Sequence, residues 1–415
     1  MEAYAITGGI PLCGEITIEG AKNAALPILA ATLVCRGRCE IRNCPRISDV
    51  ENALAILRRL GGETARRGGT VFTDTYADGS REVPRCLMQK MRAAVIFLGA
   101  LLCRYGEAEI FHPGGCRLGK RPLDLHLMGL QRMGYTCTCR EDRICCREEK
   151  LRGCTIALPF PSVGATENLI LAALRCPEEI VLCNAAKEPE IGDLIAFLQK
   201  CGAEIRGKDT SVLRIRGGKT LHGAKHTVMP DRMEAATYLC AAAATRGSLH
   251  LKRVCPGHLE AVTRILRQAG CCLEEGTDLF IDCRELHGAG PVRTAPYDGF
   301  PTDAQAPMMA ALATARGVSV VEENIFTDRF RHVPALRAMG AKIHAAGRCA
   351  VVEGVRTLHG ASVEATDLRG GAAMVIAALA AEGNSRISQI AHMERGYAGL
   401  TEKLRACGAR IDHTE

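Results

Sequence analysis

The residues best suited to chemistry lie in His112–Met128, HPGGCRLGKRPLDLHLM, where two glycines precede Cys116 and a third follows it. Glycines on both sides put the thiol on a loop that can move. Arg117, Lys120 and Arg121 lie close by and favour the thiolate, which is the environment a reactive cysteine needs. In a chain with 22 cysteines, a buried or incidental thiol is the ordinary reading of any one of them. The flanking glycines and cations set Cys116 apart. The remaining cysteines run from Cys13 to Cys407 without a CxxC pair, in a chain long enough to need no staples, and read as reduced, mostly buried small hydrophobes.

Other chemically suggestive pairs read as structure. His222 and His226 have an i, i+4 spacing, but HGAKH opens a strand in the repeat described below and supplies no third ligand, so zinc is not expected. Cys137 and Cys139 are expected on one face of a strand and suggest no cofactor. No GxxxxGK[ST] loop is present, which argues against a nucleoside triphosphatase. The net charge of +7 has no Lys/Arg block behind it, and aromatic residues make up only 4% of the chain, so a small anionic substrate fits better than a nucleic acid. The start, MEAYAITGGI, has no basic segment followed by an apolar run. The longest apolar runs, Ala93–Cys103 and Ala372–Ala381, fall short of the roughly 20 residues that span a bilayer. A cytoplasmic protein without membrane contact is expected.

The elements that must position such residues repeat along the chain. One helix ending occurs six times: LRRLGG, LQRMGY, LQKCGA, LRQAGC, LRAMGA and LRACGA, with glycines at 61, 134, 202, 270, 340 and 408. Each glycine sits where a helix needs a left-handed C-terminal residue, and basic side chains in the preceding turn suit the helix dipole. A second pattern, an Ala-rich apolar helix before a turn and a β-branched strand, recurs from Ala24, Ala93, Ala165, Ala235, Ala306 and Ala372. These helices are apolar nearly all round and are expected inside, with the basic helices outside. Leu-x-Gly opens a strand at Leu12, Leu151, Leu221, Leu286 and Leu358. The unit is thus about 70 residues of alternating strand and helix, too small for its own core; three units make one domain and two domains make the chain, with a small-molecule site expected in a cleft. Ser48 and Glu51 are expected to form a capping box.

The motifs then become specific. Besides the Cys116 loop, they are GAKNAALPILAA at Gly20–Ala31, KMRAA at Lys90–Ala94, PSVGATEN at Pro161–Asn168, NAAKEPEI at Asn184–Ile191 and MPDRMEA at Met229–Ala235. The second half adds RTAPYDGFPTDAQAP at Arg293–Pro307, DRFRHV at Asp328–Val333, ATDLRGGA at Ala365–Ala372 and HMERGY at His392–Tyr397. Over essentially its whole length the chain resembles the UDP-N-acetylglucosamine 1-carboxyvinyltransferases of the enolpyruvyl transferase family. The resemblance implies a two-domain, inside-out α/β barrel of six βαβαββ repeats, three per domain, with the helices enclosed by sheets. It divides the chain into residues 22–229 and residues 1–21 with 230–415.

The resemblance also implies a reaction: transfer of the enolpyruvyl group of phosphoenolpyruvate to the 3-hydroxyl of UDP-N-acetylglucosamine, the first committed step of peptidoglycan synthesis. Phosphate is released, and no cofactor, metal or obligate protein partner is needed. Such chemistry must bind two anionic groups, supply a proton at C3 and deprotonate a hydroxyl. By motif, Lys22, Asn23, Arg121 and Arg395 contact phosphoenolpyruvate, Cys116 is the acid at C3 and Asp303 the base. Asn23, Arg92, Arg121, Pro122, Leu123, Asp124, Leu125, Ser162, Val163, Gly164, Asp303 and Ile325 surround the nucleotide sugar. Arg329, Asp367 and Arg369 support the site. Ser162–Gly164 ahead of an apolar helix reads equally as plain N-capping. Two departures stand out: Phe160 where some relatives carry a basic residue, and Gly370-Gly371, expected to loosen the turn after Arg369. The shikimate 3-phosphate enzymes lack the Cys116 loop. A silent UDP-sugar-binding paralogue would need neither the thiol nor the carboxylate, and an RNA-end-processing enzyme would be more basic.

Overall fold

The computed structural model describes residues 2–75, 79–114 and 123–414. The chain forms two compact units, one built from residues up to Glu19 and from Pro230 onward, the other from the segment between Gly20 and Met229. Among the described residues there are six four-stranded sheets, three per unit, all with one spatial order and one set of strand directions. In two of them a strand from the far end of the unit's sequence completes the sheet, Lys225–Thr227 beside Cys39–Arg42 and Ala3–Thr7 beside Asn384–Ser388. In the other four, the first strand runs parallel to the second, the second pairs antiparallel with the fourth, and the fourth closes a hairpin with the third. Cys154–Ala157, Glu179–Cys183, Val212–Arg216 and Glu204–Arg206 are an example.

Alternation explains the inward face of that sheet. Ile156, Leu182 and Leu213 stand in register and are buried, as are Ile180, Ile215 and Ile205 in the next inward row, while Arg214 and Arg206 point the other way. Against such faces lie the apolar helices. Arg232–Thr245, Thr302–Leu312 and Leu368–Ala380 pack on one another inside the first unit, and every residue of Arg232–Thr245 is buried. Val163–Ala173 and Phe97–Tyr105 pack together in the second unit, which also encloses Lys22–Thr32. Helices shielded on all sides have no polar face to offer water, which is why their sequences show no amphipathic stripe.

The outer helices end as expected: glycines 61, 134, 202, 270, 340 and 408 all have φ between 90° and 103°. In five of the six, the amide after the glycine donates back to the carbonyl of the motif leucine, as Ala409 N does to Leu404 O at 3.0 Å. The N-terminus closes the first unit. Ala3–Thr7 lies between Asn384–Ser388 and Arg410–Thr414, and Cys13–Thr17 opens the sheet of Ser248–Lys252. Among the described residues no helix is long and apolar enough to cross a membrane.

Two local expectations fail. Ser48 is already the first residue of its helix, the N-cap is Ile47 and no side chain caps it; Glu51 instead pairs with Arg66 at 3.0 Å. Cys137 is joined to Cys146 by a disulfide, because the hairpin register sets the two directly opposite.

Candidate active site

Asp303 is the second residue of Thr302–Leu312, where the positive helix end favours a carboxylate. Its Oδ1 accepts from Arg329 Nη2 at 3.0 Å, and its Oδ2 accepts from Arg369 Nε at 3.1 Å and Nη2 at 3.0 Å. Both arginines are 3% exposed, whereas the Asp303 side chain keeps 30% of its surface open, so the carboxylate is clamped yet reachable. Arg329 is itself fixed by donating from Nε and Nη2 to Thr302 O at 3.2 and 3.0 Å. Asp367 caps Leu368–Ala380, its Oδ1 accepting from Arg369 N and Gly370 N at 3.0 and 3.1 Å, and so sets where Arg369 leaves the helix.

Gly370 and Gly371 do not loosen a turn. They lie buried in the first turn of that helix, where a Cβ on Gly371 would come within 2.7 Å of Met393 Cγ. Close approach, rather than freedom, is what selects them. Arg395 is half-buried after the short helix Ala391–Glu394. Ile325 owes its place to Glu323, a residue sequence reasoning passed over. Glu323 is 1% exposed; its Oε1 accepts from Thr294 Oγ1, Ile325 N and Phe326 N at 2.9, 2.9 and 3.0 Å, and its Oε2 from Thr302 Oγ1 at 2.9 Å. One buried carboxylate thereby ties the Ile325 turn to the start of the Asp303 helix. Its only sequence signal was a second acid beside the exposed-face Glu322.

In the other unit, Lys22 opens Lys22–Thr32 and its Nζ lies 2.6 Å from Asp49 Oδ2, with both side chains largely buried. Asn23 beside it is exposed. Arg92 opens the short helix Arg92–Ile96, Asp124 opens Asp124–Met133 with Leu123 before it and Leu125 after it, and Val163 opens Val163–Ala173. Ser162 is the N-cap of the last, its Oγ accepting from Ala165 N at 3.4 Å, so its capping role is real. Gly164 follows in the same turn, and Phe160 is 41% exposed.

Asn168 links these starts. Its Nδ2 donates to Val95 O at 3.1 Å and to His126 Nδ1 at 2.9 Å, with a longer contact to Gly164 O, and its Oδ1 accepts from Gly99 N at 2.7 Å. Burial, helped by the Arg92 charge, pushes His126 down to about 4, so the imidazole is neutral and Nδ1 can accept. His226 is likewise engaged, with Nε2 2.9 Å from Asp193 Oδ1 and Nδ1 3.2 Å from Lys200 Nζ. Cys116, Arg121 and Pro122 lie outside the described residues.

The family model described as EPSP synthase (3-phosphoshikimate 1-carboxyvinyltransferase) matches residues 6–404. The chain belongs to the enolpyruvyl transferase family. Among its relatives, the UDP-N-acetylglucosamine 1-carboxyvinyltransferase of Granulibacter bethesdensis is 46% identical, with 99% of each chain covered. A protein of Carboxydothermus hydrogenoformans named UDP-N-acetylglucosamine 1-carboxyvinyltransferase 2 is 45% identical at the same coverage. Of solved structures, the enolpyruvyl transferase NikO from Streptomyces tendae matches with a TM-score of 0.89 at 26% identity, over 100% of this chain and 99% of that one. The EPSP synthase of Acinetobacter baumannii, at 19% identity, 100% coverage of both chains and a TM-score of 0.76, shares the fold. The inside-out α/β architecture of enolpyruvyl transferases is therefore the architecture of this chain.

Proposed function

We infer that this enolpyruvyl transferase moves the carboxyvinyl group of phosphoenolpyruvate onto the 3-hydroxyl of UDP-N-acetylglucosamine and releases phosphate. The observation that carries the reading is the reachable Asp303 carboxylate held by two buried arginines, in a chain 46% identical to a protein named for that reaction. A carboxylate so clamped stays aimed at one proton, which is what a general base needs.

The steps follow from addition and elimination. Asp303 takes the acceptor's hydroxyl proton as the oxygen adds to C2 of phosphoenolpyruvate, while Cys116 gives a proton to C3. A proton then leaves C3 as the C2–O bond to phosphate breaks, which restores the double bond. Lys22, Asn23, Arg121 and Arg395 hold the phosphate and carboxylate of the donor, and charge-assisted bonds to arginine suit both groups. Asn23, Arg92, Leu123 to Leu125, Ser162 to Gly164 and Ile325 serve the nucleotide sugar. Arg329 and Arg369 hold Asp303 and support the cleft, and Asp367 fixes the helix turn that carries Arg369. The product feeds peptidoglycan synthesis, and the protein works in the cytoplasm on small molecules alone.

Mass spectrometry of the acceptor after incubation with phosphoenolpyruvate tests the reading. The expected result is UDP-N-acetylglucosamine carrying a carboxyvinyl ether, with turnover severely reduced in Cys116→Ala. An unmodified acceptor in the presence of folded protein would overturn it.

A further inference from the structure

Arg369 has a third edge, and what meets it is buried on all sides. Its Nη1 lies 2.9 Å from Tyr397 Oη, and that hydroxyl lies 2.8 Å from Thr237 Oγ1. Thr237 Oγ1 lies 2.9 Å from Met233 O. Arg369, Tyr397 and Thr237 are each 3–4% exposed.

The hydrogens of this chain have one arrangement. A guanidinium can only donate, so Tyr397 accepts from Arg369. A carbonyl can only accept, so Thr237 donates to Met233 O and must accept from Tyr397. Each of the two hydroxyls along the line thereby accepts once and donates once. Burial pushes the Tyr397 hydroxyl above its ordinary value against the pull of Arg369, which keeps it a phenol with a hydrogen to give.

We propose that Tyr397, itself oriented by Thr237, is a positioning residue that fixes the rotation of the Arg369 guanidinium and thereby the aim of the Asp303 carboxylate at the acceptor hydroxyl. The planar fork makes this mechanical: once Nη1 is held, the Nε–Nη2 edge faces Oδ2 of Asp303. Thr237 belongs to the enclosed helix Arg232–Thr245 and Asp303 to the enclosed helix Thr302–Leu312, so the line runs from one core helix to the start of another. The proposal rests on Asp303 being the base.

The test is steady-state kinetics by phosphate release from phosphoenolpyruvate and UDP-N-acetylglucosamine, with kcat followed against pH. Tyr397→Phe keeps the ring and removes the hydroxyl. It is expected to lower kcat roughly 10- to 100-fold, the scale of a small misplacement of a catalytic group, with both KM values within about twofold of wild type. The acid limb of the kcat profile should move to higher pH, since a carboxylate less firmly held by Arg369 loses part of the attraction that favours its charged form; among the described residues Arg329 also holds it, and Asp231 and Asp367 lie close to the two guanidiniums.

Wild-type kcat and profile in Tyr397→Phe, or a raised KM with kcat unchanged, would overturn the proposal. Thr237→Val and Thr237→Ser decide it independently if Tyr397→Phe does not fold: loss of rate in the valine variant with recovery in the serine variant supports the relay, and a wild-type rate in Thr237→Val overturns it. Asp303→Asn is measured beside them. If it turns over at the wild-type rate, the base assignment falls; if it is dead while Tyr397→Phe is normal, the positioning role alone falls.

Discussion

Arg369 places two of its N–H groups on a single oxygen of Asp303, Oδ2, at 3.1 Å from Nε and 3.0 Å from Nη2, which leaves Oδ1 to Arg329 at 3.0 Å. The two cations therefore divide the carboxylate between them instead of competing for it. Arg369→Lys should break this division, because one ammonium cannot serve Oδ2 and Tyr397 at once. We expect kcat to fall roughly 10- to 100-fold and unfolding free energy to fall by about 1–3 kcal/mol. Kinetics beside urea unfolding checks both, and a lysine variant with wild-type turnover contradicts the geometry.

Glu323 accepts four hydrogen bonds and is almost wholly buried. Glutamine keeps the shape but replaces one acceptor oxygen with a donor. Glu323→Gln should cost about 1–3 kcal/mol of stability and raise KM for the nucleotide sugar, since the Ile325 turn hangs on Oε1. An unchanged urea midpoint and an unchanged acceptor KM would show that the turn is held by something else.

Asp49 was not read as a site residue, yet its Oδ2 sits 2.6 Å from Lys22 Nζ. Asp49→Asn should release the ammonium from its set position and raise KM for phosphoenolpyruvate more than KM for the acceptor. Titration of both substrates against the variant distinguishes this from a general loss of activity, in which both constants or kcat alone would change.

His126 is held neutral, at about 4, by burial and by the Arg92 charge. The unfolded chain takes up a proton near 6.5 and the folded chain does not, so the unfolded state binds more protons between about pH 6.5 and 4. The stability His126 contributes is thus complete above that window and is lost as pH falls through it. Glu234 acts in the opposite sense, since burial pushes it up to about 7 and favours the folded state as pH falls from there. His126→Gln should therefore flatten the loss of stability between pH 6.5 and 4.5 relative to wild type. Parallel urea curves at the two pH values test this; identical slopes would rule out a buried neutral imidazole.

Much of this molecule was readable before its structure. The six helix endings were legible because a left-handed residue after a leucine-bearing turn demands glycine, and the enclosed helices because nothing polar interrupts Ala372–Ala381. Asp303, Arg329 and Arg369 stood in recognisable motifs. What stayed hidden were polar residues inside apolar surroundings. Thr237 and Asn168 sit in helices that read as core, and only the folded chain reveals that each hydroxyl or amide has a partner from a distant segment. Local pattern also misled at Ser48, where a capping box was expected but the helix had already begun. The Cys137–Cys146 pairing depends on a hairpin register that cysteine spacing alone does not fix.

The central claim is the identity of the acceptor, and the most direct measurement is phosphate released from phosphoenolpyruvate by the purified protein with UDP-N-acetylglucosamine or with shikimate 3-phosphate. The account predicts release with the nucleotide sugar and none above background with the shikimate ester. Equal release with both, or release with shikimate 3-phosphate alone, would contradict it.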